Sequence, residues 1–131
     1  ARAIRADGWL YLRNLRPDLW PAGAGGSENT RGAKEGFADC DNGPTKMLIL
    51  KQPDSRPYAL CFGKRPEEEL YDCAKDPFQM TNLAAEPAHA ETKAKLRARL
   101  EEFLKRTGDP RITGKPHIFD TLPYPMRDGG K

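Results

Sequence analysis

Asp7-Gly8 stands between two runs that favour extended backbone, Arg2 to Ala6 (RAIRA) and Trp9 to Asn14 (WLYLRN). Asp-Gly between such runs is the strongest short-range signal for a β-hairpin. Both central residues of the tight turn take positive φ, which Gly adopts freely and Asp tolerates. A two-residue turn fixes the register, setting Ala6 opposite Trp9, Ile4 opposite Tyr11 and Arg2 opposite Arg13. One face then carries Ile4, Ala6, Trp9 and Tyr11, and the other carries Ala3, Leu10 and Leu12. A sheet wetted on one side would alternate more cleanly, so the pattern predicts a cover on each face.

The longest periodic segment, Pro87 to Arg106, predicts a helix. Leu96, Leu100, Phe103 and Leu104 fall on one face, while lysines, arginines and glutamates fill the rest. Gly108 ends it, and Asp109-Pro110 reinforces the stop because proline cannot continue a helix. Such a stripe is expected to pack on the sheet rather than to serve as a partner groove. A third strand is expected at Glu69 to Cys73. It leads into a turn capped by Asp76, with Pro77 at its first position and Asn82 in the left-handed conformation at its end. Arg16 to Gly36 reads as a surface loop. Thr45 to Gln52 reads as a short helix after Asn42-Gly43-Pro44, and Tyr58 to Phe62 is ambiguous but favours helix. The tail from Ile112 is expected to lie extended across the body through Ile118, Phe119 and Tyr124. These elements predict one α+β domain over residues 1–131: a small antiparallel β-sheet, one long C-terminal helix packed on it, and long irregular loops.

Only 37% of residues are hydrophobic, and the chain carries twelve glycines and twelve prolines, so its core is lean and a partner surface is expected to support it. Twenty-two basic residues nearly balance nineteen acidic ones, giving a net charge of +3 without a dense basic block. That excludes the stripe expected of a nucleic-acid or membrane binder. No apolar run is long enough to span a bilayer. Cys40, Cys61 and Cys73 match no zinc spacing and read as buried free thiols.

Asp39-Cys40-Asp41-Asn42-Gly43 suggests a calcium loop, but Gly43 and Leu50 occupy positions where the EF-hand pattern needs an oxygen ligand and a glutamate. An Asx-rich turn capping the next helix is the plainer reading. His89 and His117 have no carboxylate at ligand spacing, and His89 is expected to face solvent. Arg2, Arg5, Arg13, Arg16 and Lys64-Arg65 either form a positive surface suited to a tetrahedral oxyanion or pair with Glu67, Glu68, Glu69 and Asp72.

The segment Gly63 to Ala84 (GKRPEEELYDCAKDPFQMTNLA) resembles the last strand and turn of the C-terminal subdomain of sulfatases in the alkaline-phosphatase-like superfamily. Arg2 to Asn14 is similar to the hairpin that begins that subdomain, and Thr107 to Arg111 (TGDPR) to the exit from its last helix. Asp39 to Lys46 (DCDNGPTK) resembles a loop of the bacterial sulfamidase (heparan N-sulfatase) type. The family's C/S-x-P-x-R motif is absent, since in Cys61-Phe62-Gly63-Lys64-Arg65 a glycine stands where proline is needed. The resemblance therefore implies a fragment of a parent enzyme that cleaves sulfate esters or N-sulfates of sulfated glycans. Formylglycine and calcium would belong to an N-terminal catalytic domain missing here. No catalytic residue and no metal ligand is assigned to this chain. The resemblance places Thr45, Lys46 and Asp41 at the rim of the substrate pocket. It further implies a periplasmic or secreted parent. An isolated segment is expected to be inactive and, if the hairpin's apolar faces lack their cover, to form a homodimer. The alternative is a free-standing module that binds acidic glycans through its arginines.

Overall fold

The computed structural model describes residues 1–23, 36–115 and Ile118. The tail positions Phe119 and Tyr124 lie outside the described residues. The chain forms two compact units, one from Arg16 to Glu68 and one from Arg2–Leu15 together with the residues from Glu69 on.

The second unit is an antiparallel sheet under a helix. Strands β1 (Arg2–Ala6), β2 (Trp9–Arg13) and β3 (Glu68–Asp72) are ordered β1-β2-β3. The hairpin register is the one the turn dictates, from Ala6 opposite Trp9 to Arg2 opposite Arg13. Both turn residues have positive φ, 55° at Asp7 and 78° at Gly8. Gly8 also accepts, through its carbonyl, the amide of Cys73 at 2.9 Å, which ties the turn to the end of β3.

Helix α3 (Ala90–Arg106) follows a single 3₁₀ turn, Pro87–His89, so the segment expected to be one helix begins with a tighter first turn. Leu96, Leu100 and Leu104 are buried with Tyr11, Leu70 and Ala84, and Ile4, Ala6 and Trp9 pack against this cluster. Phe103 departs from expectation, being 50% exposed. At 3.6 residues per turn it sits about 60° round the helix from Leu100, outside a stripe that Leu100 centres and Leu96 and Leu104 flank at about 40° on either side. The helix closes on a Schellman motif: Asp109 N–H donates to Leu104 O at 2.9 Å and Gly108 N–H to Lys105 O at 3.1 Å, with Gly108 at φ 70°.

On the sheet's second face, Leu10 and Leu12 are half-buried while Ala3 and Arg5 are exposed. Strand alternation puts Glu69 and Tyr71 opposite Leu70, and both are buried, with the Tyr71 hydroxyl donating to the Glu69 carboxylate. Among the described residues the exposed large apolar side chains are Leu19, Leu48, Phe78, Met80 and Phe103, none of them on the two hairpin faces expected to need a cover.

After β3 the chain makes a turn at Asp76, as expected, without adding a helical segment there. The Asp72 carboxylate accepts the amides of Ala74 and Lys75, and that of Asp76 accepts Thr81 N–H at 2.8 Å. The left-handed residue is Gln79, φ 52°, not Asn82. Asn82 instead spends its Oδ1 on the amides of Leu70 and Ala84, both at 2.9 Å, which stitches the returning segment to β3.

In the first unit α1 spans Pro44–Leu50, shorter than expected, and α2 spans Arg56–Phe62. Ser55 caps α2 by accepting Tyr58 N–H at 3.2 Å. Phe37, buried at φ 51°, gathers the rings of Trp20, Tyr58 and Phe62 at centroid distances of 5.6, 6.2 and 4.7 Å. Gly63 is fixed by space, because a Cβ there would lie 2.6 Å from Ala59 O.

Two predictions follow from the second unit. Leu100→Ala removes a fully packed side chain from the helix–sheet interface and should cost about 2–5 kcal/mol in urea unfolding. A loss of only a few tenths would mean that α3 is not packed as described. The second concerns Asp109, whose side chain is 12% exposed. The Arg2 guanidinium, at 2.6 Å, and next the Arg111 amide hold its carboxyl below the ordinary 3.8, against the opposing effect of burial. A carboxyl depressed on folding binds fewer protons in the native state. Its contribution is therefore complete above 3.8 and is lost as pH falls through the lower folded value. Asp109→Asn should flatten that acid limb when unfolding midpoints are measured from pH 7 downward.

Candidate functional site

The loop from Phe37 to Lys46 holds the three residues expected at a substrate rim, and the structure divides their roles. Lys46 is only 5% exposed, on a helix that carries Leu48 in the open. Its Nζ donates to Phe37 O at 2.9 Å, Cys40 O at 2.8 Å and Asn42 Oδ1 at 3.0 Å. An ammonium has three N–H donors, and all three are committed. The Phe37 carbonyl accepts a second bond, from Cys40 N–H at 3.1 Å, so one turn is closed from two sides. The Asx-rich turn expected to cap α1 does not do so: the Asn42 oxygen is taken by Lys46, and the N-cap position falls to Gly43 without a side-chain bond. Asp41 and Thr45 flank this hub and are exposed. Lys46 holds the backbone of the loop on which they sit.

The remaining candidates are dispersed. Arg2 pairs with Asp109, Arg13 with Glu101 and Arg16 with Asp18, whose carboxyl falls to about 2 beside that guanidinium. Arg65 donates to Leu60 O at 2.6 Å, and the Lys64 ammonium lies 4.8 Å from the centre of the Trp20 ring. The acids expected as their partners, Glu67 to Glu69 and Asp72, are not the ones used in these pairs. His89 is half-buried, its ring 5.2 Å from that of Trp9, rather than solvent-facing. The cysteines are free, but Cys61 is exposed and Cys40 and Cys73 are half-buried, unlike the buried thiols expected. Among the described residues no three His, Cys, Asp or Glu side chains converge as metal ligands would.

Sequence reasoning missed a concavity beside β1. Arg99 and Arg106 read as part of a solvated helix face and Phe103 as core, yet they line one groove with Arg5. The spacing of 99, 103 and 106 along α3 was the available signal, since residues three and four apart share a helix face.

Over 126 residues the chain is 44% identical to an ulvan-active sulfatase from Formosa agariphila, a match that takes in 92% of this chain and 19% of that protein. Over 67 residues it is 34% identical to a delta 4,5-hexuronate-2-O-sulfatase from Bacteroides thetaiotaomicron, covering 47% of this chain and 14% of that protein. The chain thus spans less than a fifth of the length of these relatives. No family model and no solved structure matches it. Both relatives are sulfatases, and the similarity to the first of them extends across nearly the whole chain.

Lys46→Met should destabilise the first unit by about 1–3 kcal/mol, because three acceptors lose their donor in a site with little water. Lys46→Arg should not restore it, since a planar fork cannot meet three convergent acceptors as an ammonium does. Faster amide hydrogen exchange at Cys40 in both variants is the expected readout.

Proposed function

We propose that this chain is the C-terminal part of a sulfatase that acts on sulfated glycans. Within that enzyme it completes the fold and presents Asp41 and Thr45 at one side of the substrate pocket, with Lys46 as their positioning residue. The similarity to the ulvan-active sulfatase over 92% of the chain carries this reading. The names of the relatives, one of them a 2-O-sulfatase, favour a sulfate ester over the N-sulfate implied by the sulfamidase-like loop. A hydroxyl can donate to a sulfate or sugar oxygen, and a carboxylate can accept from sugar hydroxyls, provided the loop beneath them is rigid. The Lys46 hub supplies that rigidity.

The chemistry of sulfate cleavage would come from a catalytic domain preceding this segment, which would hold formylglycine and calcium. The described residues of this chain do not make a site for such an ion. A catalytic domain of the same protein is accordingly the principal partner in this reading, and a periplasmic or secreted location fits a glycan substrate.

Expressing the longer reading frame and measuring sulfate release from sulfated oligosaccharides tests the proposal. Release is expected from the longer protein and not from the 131-residue chain alone. In the longer protein Thr45→Ala should raise KM for the glycan several-fold with little change in fold stability. Turnover of a simple aryl sulfate by the isolated chain, or a longer frame without a C/S-x-P-x-R motif, would overturn it.

A further inference from the structure

We propose that the groove between β1 and α3 binds a sulfated saccharide, with Arg5 and Arg106 on the sulfate and Phe103 beneath the sugar ring. The open groove has a volume of about 440 Å³, and Ile4 and Leu100 contribute to its apolar lining. That volume falls within the roughly 300–1,000 Å³ usual for small-ligand sites. Its charge is one-sided: Arg5, Arg99 and Arg106 line it against one carboxylate, Glu102. Arg99 is engaged with Asp7 at 2.9 Å. Among the described residues neither Arg5 nor Arg106 has a carboxylate partner, and both line the groove, Arg5 from the edge strand β1 and Arg106 from α3.

Phe103 supplies the second half of the argument. It is a large apolar side chain left 50% exposed, and the Arg106 guanidinium lies 5.5 Å from its ring centre. A sugar presents an apolar C–H face to an aromatic ring while its sulfate projects outward to a guanidinium, whose fork matches a tetrahedral oxyanion. An aromatic platform flanked by unpaired arginines therefore suits a ring that carries both features, and an acidic peptide would use only the charge. The choice of sulfate among anions rests on the sulfatase reading above. The groove lies in the sheet–helix unit, whereas Asp41 and Thr45 belong to the other unit. A chain holding a polymeric glycan here would raise its effective concentration for any further site on the same protein.

The test is calorimetric titration of the 131-residue chain with dextran sulfate oligosaccharides, unsulfated dextran oligosaccharides and poly-glutamate. Dextran sulfate is expected to bind and unsulfated dextran to bind at least about tenfold more weakly, since charge-assisted hydrogen bonds are lost. The double variant Arg5→Ala/Arg106→Ala should weaken dextran sulfate by about 10- to 100-fold, on the same basis. Phe103→Leu keeps an apolar side chain but removes the ring, and should weaken it several-fold without altering the salt dependence. These side chains are exposed, so the variants are expected to keep the wild-type circular dichroism spectrum. The proposal is overturned if dextran sulfate fails to bind, if the double variant binds as well as wild type, or if poly-glutamate binds equally and Phe103→Leu changes nothing. Sulfate release by the longer protein is scored separately. Binding without release leaves the groove and removes the sulfatase reading; release without binding does the reverse.

Discussion

The contact on which the second unit depends is the ridge of Leu96, Leu100 and Leu104 on Tyr11 and Leu70. A two-stranded hairpin is at best marginal in water, and a third strand with a helix over one face is what makes such a sheet stable. Each buried leucine contributes on the order of 1.5–3 kcal/mol relative to exposure, so this short stripe is the principal favourable term available to a lean chain. It also disciplines the charges around it. Register places Arg2 directly opposite Arg13, a like-charge pair that would by itself disfavour the hairpin. Helix α3 and its exit answer with Glu101 for Arg13 and Asp109 for Arg2, so packing and electrostatics select the same docking of helix on sheet.

The first unit is organised differently, around a polar side chain. Burying an ammonium is costly unless its donors are satisfied, and Lys46 meets that condition with two backbone carbonyls and an amide oxygen. The return is a loop held from its centre, in which Phe37 keeps a positive φ and turns its ring into the Trp20, Tyr58 and Phe62 cluster. A lysine at this position does what a capping side chain and a larger core would do elsewhere.

Local signals were legible where one residue pair or one period decides the outcome. Asp7-Gly8 dictated the hairpin and its register, and the leucine spacing with Gly108 dictated α3 and its end. What escaped were choices made between competing partners. Asn82 has the turn chemistry for a left-handed residue, but two free amides, Leu70 and Ala84, claim its oxygen. Asn42 is a good helix cap in isolation, but Lys46 reaches it first. Phe103 satisfies a four-position stripe on paper, yet Leu100 centres the contact between Leu96 and Leu104 and leaves it at the margin. Of the candidate rim residues, the sequence showed the loop but not that Lys46 faces inward while Asp41 and Thr45 face out.

The arginines make the same point about function. Composition counts them alike and yields a bland net charge, but period and register sort them by role. On β1 the even positions share the face of Ile4 and Ala6, which packs under α3, and Arg2 accordingly finds Asp109. Arg13 on β2 is on that same face and finds Glu101. Among the described residues Arg5, one position out of phase, meets no carboxylate, and Arg106, past the last buried leucine, pairs with none and lies beside the ring of Phe103. An arginine consumed by the fold cannot also hold a substrate. The division between paired and unpaired guanidinium groups, set by the two-residue period of a strand and the turn of a helix, is therefore what separates the charges that build this unit from those that can recognise an anion.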